Sequence, residues 1–311
     1  MHDRDSLHRF MFEQFPIRGH LVHLDASWRA LIEHGTYPAS IRTLLGETVV
    51  ASVLLAATIK FDGLLSLEMR GDGPVHLLLA QCTSGLGVRG LARHRDLAAG
   101  AGESAAPGPA APEPAAPGPA ALIGAGNLTV TLESEDGAQR YQGIVPITGE
   151  RLADSLQGYF ENSEQLPTRL WLHADEHGAA GMLLQRLPAP PSAEIEDAWR
   201  RVQLIGETLT AKELASLADT EILHRLFNED DLRLYDPAPV FFRCRCSRER
   251  VSGMLQGLGE AETRSILAER GAVEVRCDFC NRAYLFDAVD VAQLFKASSP
   301  PSAGEIGGSV H

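Results

Sequence analysis

Four of the five cysteines in this 311-residue chain lie in its last quarter, as Cys244-x-Cys246 and Cys277-x-x-Cys280. Two thiol pairs at chelate spacing, separated by the 30 residues 247–276, can close a tetrahedron of four sulfurs around one Zn²⁺. Cys244, Cys246, Cys277 and Cys280 are therefore the expected metal ligands, with one zinc per chain. A shell of four sulfurs leaves no open position for water, which argues against metal-assisted hydrolysis. What such a site can undergo is oxidation. Coordination keeps the sulfurs as thiolates, and peroxide or hypochlorous-type oxidants convert thiolates to sulfenic acid and then to disulfide. Oxidation and metal loss would be one event, and the shortest chain separations pair Cys244 with Cys246 and Cys277 with Cys280. Spacing alone leaves an inert structural zinc open as the alternative.

The elements that must carry these thiols read as an α+β protein. Hydrophobic residues make up 44% of the chain, enough for about two domains with a sizeable core. The longest apolar run, Val49 to Ile59, is interrupted only by Ser52 and Thr58. It is shorter than the ~20 residues needed to cross a bilayer, so it predicts a buried helix within Ser40–Lys60. His20–Leu24 alternates as a strand; Leu65, Leu67 and Met69 alternate up to Gly71-Asp72-Gly73-Pro74, and Val75–Leu79 returns. A second hairpin turns at Asp136-Gly137, helix 150–160 follows, and a third hairpin, Arg169–Leu187, turns at Glu176-His177-Gly178. Hairpins with a few helices predict antiparallel sheet in an N-terminal domain over 1–187.

Within that domain, Ala98–Ala121 is almost entirely Ala, Pro and Gly, and predicts a disordered or polyproline-like surface loop. Residues 188–240 read as a helical linker. Ser192 is placed to cap its first helix, with Ile195, Trp199 and Val202 on one face, and Thr210-Ala211-Lys212-Glu213 is a capping box. A third helix carries Ile222, Leu223, Leu226 and Phe227. Helices this short are marginal alone and need a platform. Residues 241–296 form the cysteine domain, where Ser247 can cap a helix and a hairpin holds Cys277 and Cys280. Its core is small, so metal would supply much of its folding energy. The tail 297–311 is expected to be disordered.

The chain has 28 basic and 41 acidic residues, a formal charge of -13, and residues 1–240 carry 19 of the basic and 32 of the acidic ones. Such a surface repels phosphate backbones and disfavours nucleic acid as a partner. Arg243, Arg245, Arg248, Arg250, Arg276 and Arg282 gather near the thiols, where they would offset the net charge of a four-thiolate zinc site. A zinc-ribbon nucleic-acid or protein-binding module is the alternative this cluster leaves open. Met1 to Glu13 lacks the basic flank, apolar run and cleavage site of a secretory signal, so the thiols are expected in a reducing cytosol, away from membranes. Gly124-Ala125-Gly126 lacks the third glycine of a dinucleotide fingerprint, and Ser163-Glu164 with His173 has no nucleophile elbow. His20 and His23, three apart on a strand, point to opposite faces and make poor chelators. No catalytic residue emerges. A thiol oxidoreductase built on Cys277 and Cys280 ranks last, because such couples sit at strand-to-helix turns.

Cys244-x-Cys246-Ser247-Arg248-Glu249-Arg250 and Cys277-Asp278-Phe279-Cys280-Asn281-Arg282-Ala283-Tyr284-Leu285-Phe286 closely resemble the redox-regulated 33 kDa heat-shock chaperone family. Further blocks are similar in the same order: Arg18-Gly19, Leu44-Leu45-Gly46-Glu47, Lys60-Phe61-Asp62-Gly63, Tyr141 to Pro146, and Tyr159-Phe160 to Thr168. The resemblance implies a non-enzymatic, ATP-independent holdase of the bacterial cytoplasm, part of a stress response and inactive while reduced and zinc-bound. It implies that oxidation forms the disulfides Cys244–Cys246 and Cys277–Cys280, expels zinc, loosens residues 192–240 and yields an active homodimer that binds unfolding client proteins. The apolar faces of the linker helices would then lose part of their platform as the zinc domain melts. Cys82 matches no ligand of the motif and is expected to be a small buried strand residue.

Overall fold

The computed structural model describes residues 5–95 and 117–296, and the chain divides into two compact units, Met1–Arg243 and a second beginning at Cys244. In the first unit, β1 (Ser6–Phe12) and β2 (Ile17–Leu24) form a hairpin, followed by α1 (Ala26–Ile32) and α2 (Ala39–Thr58). A meander of β3 (Gly63–Gly71), β4 (Val75–Thr83) and β5 (Gly87–His94) precedes α3 (Pro119–Ile123). Then come β6 (Gly126–Ser134), β7 (Arg140–Pro146), α4 (Leu152–Tyr159) and a π-helical turn at Phe160–Glu164. The hairpin β8 (Thr168–Ala174) and β9 (Ala179–Arg186) ends this part.

Two six-stranded sheets result. One runs β8-β9-β2-β1 with later strands added to β1; the other runs β5-β4-β3-β6-β7. The expected α+β class and antiparallel hairpins are present. β1 and β5 escaped the sequence reading: Arg9 beside Phe10, and Gly90 with the charged Arg89 and Arg93, blur the two-residue alternation.

Helix α2 explains how the sheets become one core. It is apolar nearly all round, as a helix buried on every side must be, and it packs on β2, β8 and β9 as well as on β3, β4 and β5. It is long and apolar enough by composition to cross a membrane, yet 72% of its most apolar window is buried within the fold. Backbone approach is close: a Cβ on Gly181 of β9 would lie 2.4 Å from Val50 of α2, so that position has no room for a side chain.

The Ala/Pro/Gly loop needs one correction. Residues 98–116 and the tail 297–311 lie outside the described residues, but the last part of the loop is not disordered, because Pro119–Ile123 form α3. Pro119 sits in its first turn, where its fixed φ favours helix, and Leu122 and Ile123 are buried in the core.

Three helices follow: α5 (Ala193–Gly206), α6 (Ala211–Ser216) and α7 (Asp219–Phe227). The capping box at Thr210 forms, with its hydroxyl accepting from the Glu213 amide at 3.2 Å, whereas Ser192 occupies the N-cap of α5 without a side-chain cap bond. The segment is not purely helical. β10 (Leu232–Leu234) and β11 (Ala238–Pro239) pair with β1, and β12 (Phe241–Phe242) lies parallel to β5.

The second unit, described by itself, contains α8 (Arg248–Leu258), α9 (Glu260–Arg270), the hairpin β13 (Val273–Arg276) and β14 (Ala283–Phe286), and α10 (Ala288–Lys296). Its core is Val251, Leu255, Val273, Tyr284, Phe286 and Val291.

Glu47 is the acidic residue inside α2. Burial pushes its carboxyl up to about 7 from an ordinary 4.5, against the opposing charge of Arg151. Between those values the folded protein holds a proton that the unfolded chain has released, so stability falls as pH rises through this window. Glu47→Gln is expected to remove that slope. Urea midpoints should match wild type near pH 5 and exceed it near pH 8.

Candidate metal centre

Cys244 and Cys246 lie between β12 and α8, where Ser247 caps α8 by accepting from the Arg250 amide at 3.3 Å. Cys277 and Cys280 lie in the turn of the β13–β14 hairpin. The Cys277 amide donates to the Arg282 carbonyl at 3.0 Å, and the Asn281 amide to the Cys277 carbonyl at 2.8 Å. Asn281 has φ 52°, a left-handed conformation that asparagine tolerates better than most residues. This turn aims both sulfurs at the first pair. All four Sγ atoms lie within 4.8 Å of one another, with Cys244 to Cys277 at 3.5 Å and Cys246 to Cys280 at 3.4 Å.

Four sulfurs at about 2.3 Å from a central ion have tetrahedral edges of about 3.8 Å, so this cluster fits a single tetrahedral metal. It is the sole cluster of three or more potential ligands among the described residues. Burial raises the Cys244 and Cys280 thiols, and it works against Cys246 too, but hydrogen bonds from Tyr284 and the neighbouring thiols hold Cys246 at about 7. The closest sulfur contacts run between the two motifs. The expected pairs Cys244–Cys246 and Cys277–Cys280 are within a motif, and the folded cluster keeps either choice within reach.

The arginines have more varied work than offsetting charge. Arg248 donates to the Leu285 carbonyl at 2.8 Å, pairs with Asp290 at 2.7 Å and lies over the Phe286 ring at 4.2 Å, fixing α8 to β14 and α10. Arg250 donates to the Arg245 carbonyl at 2.8 Å, and Arg276 pairs with Glu274. The Arg282 guanidinium is pushed up from its ordinary value by the neighbouring Tyr284 hydroxyl and by the Cys246 and Cys280 sulfurs. Tyr284 is the residue the motif contained without revealing a role: its hydroxyl donates to Cys246 Sγ at 3.1 Å.

Cys82, on β4, is fully buried; desolvation pushes its thiol up to about 12, so it stays a neutral core residue. His20 and His23 are both buried on β2 and neither chelates. Burial and the charges of Arg18 and Arg9 lower His20 to about 3. His23 instead anchors the linker: its Nδ1 lies 2.6 Å from Asp219 Oδ1, and its Nε2 lies 2.7 Å from the Leu214 carbonyl. His8 bonds the other oxygen of Asp219. Burial opposes ionisation of Asp219, but the hydrogen bonds and charges of His23 and His8 outweigh it and hold the carboxyl below its ordinary range.

Around this polar clamp, Trp199, Val202, Leu214, Ile222, Leu226 and Phe227 pack on Phe10, Phe12, Ile17, Leu21, Met182 and Leu184. Phe227 meets Phe12 edge-on at 5.2 Å. The platform of the linker helices is thus the outer face of the β1-β2-β9 sheet, inside the first unit. The sequence held no signal for the clamp, because His8, His23 and Asp219 are far apart in the chain.

The fold and the cysteine cluster together define a two-unit α+β protein whose second unit carries four cysteines placed so that they could hold a metal ion. Residues 5–287 match the family model for the Hsp33 protein. The 33 kDa chaperonin of Nitrosococcus oceani is 47% identical over 296 residues, covering 95% of this chain and 96% of that protein. That of Methylobacillus flagellatus is 44% identical over 292 residues, covering 94% of each. The crystal structure of the 33 kDa chaperonin (heat shock protein 33 homolog) from Thermotoga maritima has the same fold, with a TM-score of 0.76 at 21% identity, over 94% of this chain and 99% of that one. The chain belongs to the Hsp33 family, whose members are named as chaperonins and not as enzymes.

Asp219→Asn removes one acceptor from the clamp and leaves a buried histidine donor unpaired, at a cost of about 2 kcal/mol, roughly 30-fold in opening. Amide exchange over α6 and α7 is expected to accelerate by that order while β3 and β4 keep their protection. Unchanged exchange in α7 would show that apolar packing alone docks the linker.

Proposed function

We propose that this protein is a redox-regulated, ATP-independent holdase of the bacterial cytoplasm, in which oxidation of Cys244, Cys246, Cys277 and Cys280 releases zinc and exposes a surface for unfolding proteins. One observation carries the reading. The Arg243 amide donates to the Val88 carbonyl at 2.9 Å, and the next residue is Cys244, so the sheet pairing that ends the linker is contiguous with the first sulfur of the cluster.

Zinc bound there would be held by the four sulfurs and would keep them as thiolates at neutral pH. A cysteine thiolate attacks one peroxide oxygen; an S–O bond forms, the O–O bond breaks and hydroxide leaves. A neighbouring thiolate then attacks the sulfenic sulfur, forming the disulfide and releasing a second hydroxide. Each disulfide takes two electrons from its thiols and reduces one peroxide, so two peroxides consume all four ligands. Cys244 with Cys246, and Cys277 with Cys280, are the pairs that still meet once the unit unfolds, because only one and two residues separate them.

Structural zinc contributes about 10–16 kcal/mol in small domains, which is as large as the whole stability of a typical domain, about 5–15 kcal/mol. The second unit, with the small core described above, would unfold without it. Freed chain beyond Arg243 then strains the short pairing of β12 with β5 and loosens β10, β11 and α5–α7. Undocking uncovers both the linker helices and the sheet face carrying Phe10, Phe12, Ile17 and Met182. Apolar surface on that scale would bind apolar client segments or a second copy of the chain, giving a homodimer on activation. Acidic residues 1–240 make nucleic acid an unfavourable partner.

Peroxide at mild heat is expected to release one zinc per chain and to switch on suppression of aggregation of a chemically unfolded client. Zinc content by chelator absorbance and client light scattering, followed in parallel, check it. Zinc release without that gain sinks the proposal; zinc retained in peroxide, together with salt-dependent RNA binding, would support a structural zinc module instead.

A further inference from the structure

The four sulfurs do not have equal surroundings. Cys246 accepts from a side chain, the Tyr284 hydroxyl at 3.1 Å. Tyr284 stands on β14, opposite Val275 of β13, with its ring buried among Val251, Leu255, Val273 and Phe286. The Arg282 guanidinium lies near enough to this hydroxyl for each to shift the other's titration. The result is a relay from an exposed guanidinium through a buried phenol to one sulfur of the cluster.

We propose that Tyr284, polarised by Arg282, is a positioning residue that holds the Cys246 sulfur in the metal-binding geometry and restrains its reaction with peroxide. This deepens the redox reading of the same site. Two physical effects act together. A donor outside the metal shell fixes the orientation of the ligand, and losing such donors commonly costs 10- to 100-fold in metal affinity. The same hydrogen bond occupies a sulfur lone pair and withdraws electron density, which lowers nucleophilicity toward an oxidant. In the attack, the Cys246 lone pair becomes an S–O bond, the peroxide O–O bond breaks and hydroxide leaves, so a lone pair engaged with the phenol must first be freed. Arg282 strengthens the restraint, since a cation on the phenol oxygen makes its hydrogen a better donor.

Tyr284→Phe deletes the hydroxyl and keeps the ring in the apolar core. Full-length protein loaded with zinc is expected to lose about tenfold in zinc affinity against a chromophoric chelator. Zinc release in peroxide should accelerate about fivefold, the scale of one ordinary hydrogen bond. Loaded instead with cadmium, it should show a cadmium resonance displaced from the wild-type position, a readout of sulfur electron density that packing alone does not move. Arg282→Met, which leaves the phenol and the core intact, should change all three in the same direction by less, and it serves as the deciding variant should Tyr284→Phe not fold. Wild-type affinity and release rate in these variants would overturn the proposal, whether or not the cadmium resonance moves. The affinity and cadmium measurements are made without oxidant, so they stand apart from the redox reading; a wild-type protein that keeps its zinc in peroxide would sink only that reading.

Discussion

The second unit has little apolar material of its own. Its buried side chains come from two helices, one hairpin and a final short helix, with Val251, Leu255, Val273, Tyr284, Phe286 and Val291 at the centre. A cluster of that size does not outweigh the entropy of ordering some fifty residues. In the proposed function the four-sulfur cluster, with zinc bound, would be the missing cross-link, joining the segment before α8 to the hairpin turn at a single point. Everything proposed for this protein depends on that dependence: a fold that needs sulfur coordination is one that an oxidant can dismantle.

The first unit is built on the opposite principle. Two sheets share one apolar helix, packed so closely that Val50 leaves no room for a side chain at position 181. Its outer face is covered in a different manner. The linker helices are short, and their apolar stripe is matched by the phenylalanines of β1, while a buried carboxylate between two histidines fixes their register. Apolar contact supplies the attraction and the clamp supplies position. Such a cover is separate from the core beneath it, which suits the conditional surface proposed for this protein.

Chain continuity links the two. The pairing of Phe241 and Phe242 with β5, and of the Arg243 amide with Val88, ends at the residue preceding the first cysteine. A strand of two residues is weak, so it depends on what anchors either end. The apolar faces of the linker rest on the sheet of their own unit. The linker strands, which no helical pattern foretold, tie this segment to β1 as the helices tie it to the sheet face.

The cysteine motifs were legible because metal ligation constrains residue type and spacing within a few positions, and the same holds for the Thr210 and Ser247 caps and the glycine-marked hairpins. The buried helix within Ser40–Lys60 was legible for a related reason, since a long apolar run has few alternatives. What lay beyond sequence was each contact between residues distant in the chain. His8, His23 and Asp219 carry no shared motif; Tyr284 looks like any strand aromatic until its hydroxyl is found on Cys246; and α3 looks like more Ala/Pro loop until Leu122 and Ile123 are seen in the core. Local physics fixes which groups can do chemistry and where elements start. Only the tertiary fold decides which of them meet, because burial and hydrogen-bond satisfaction depend on the whole packed chain.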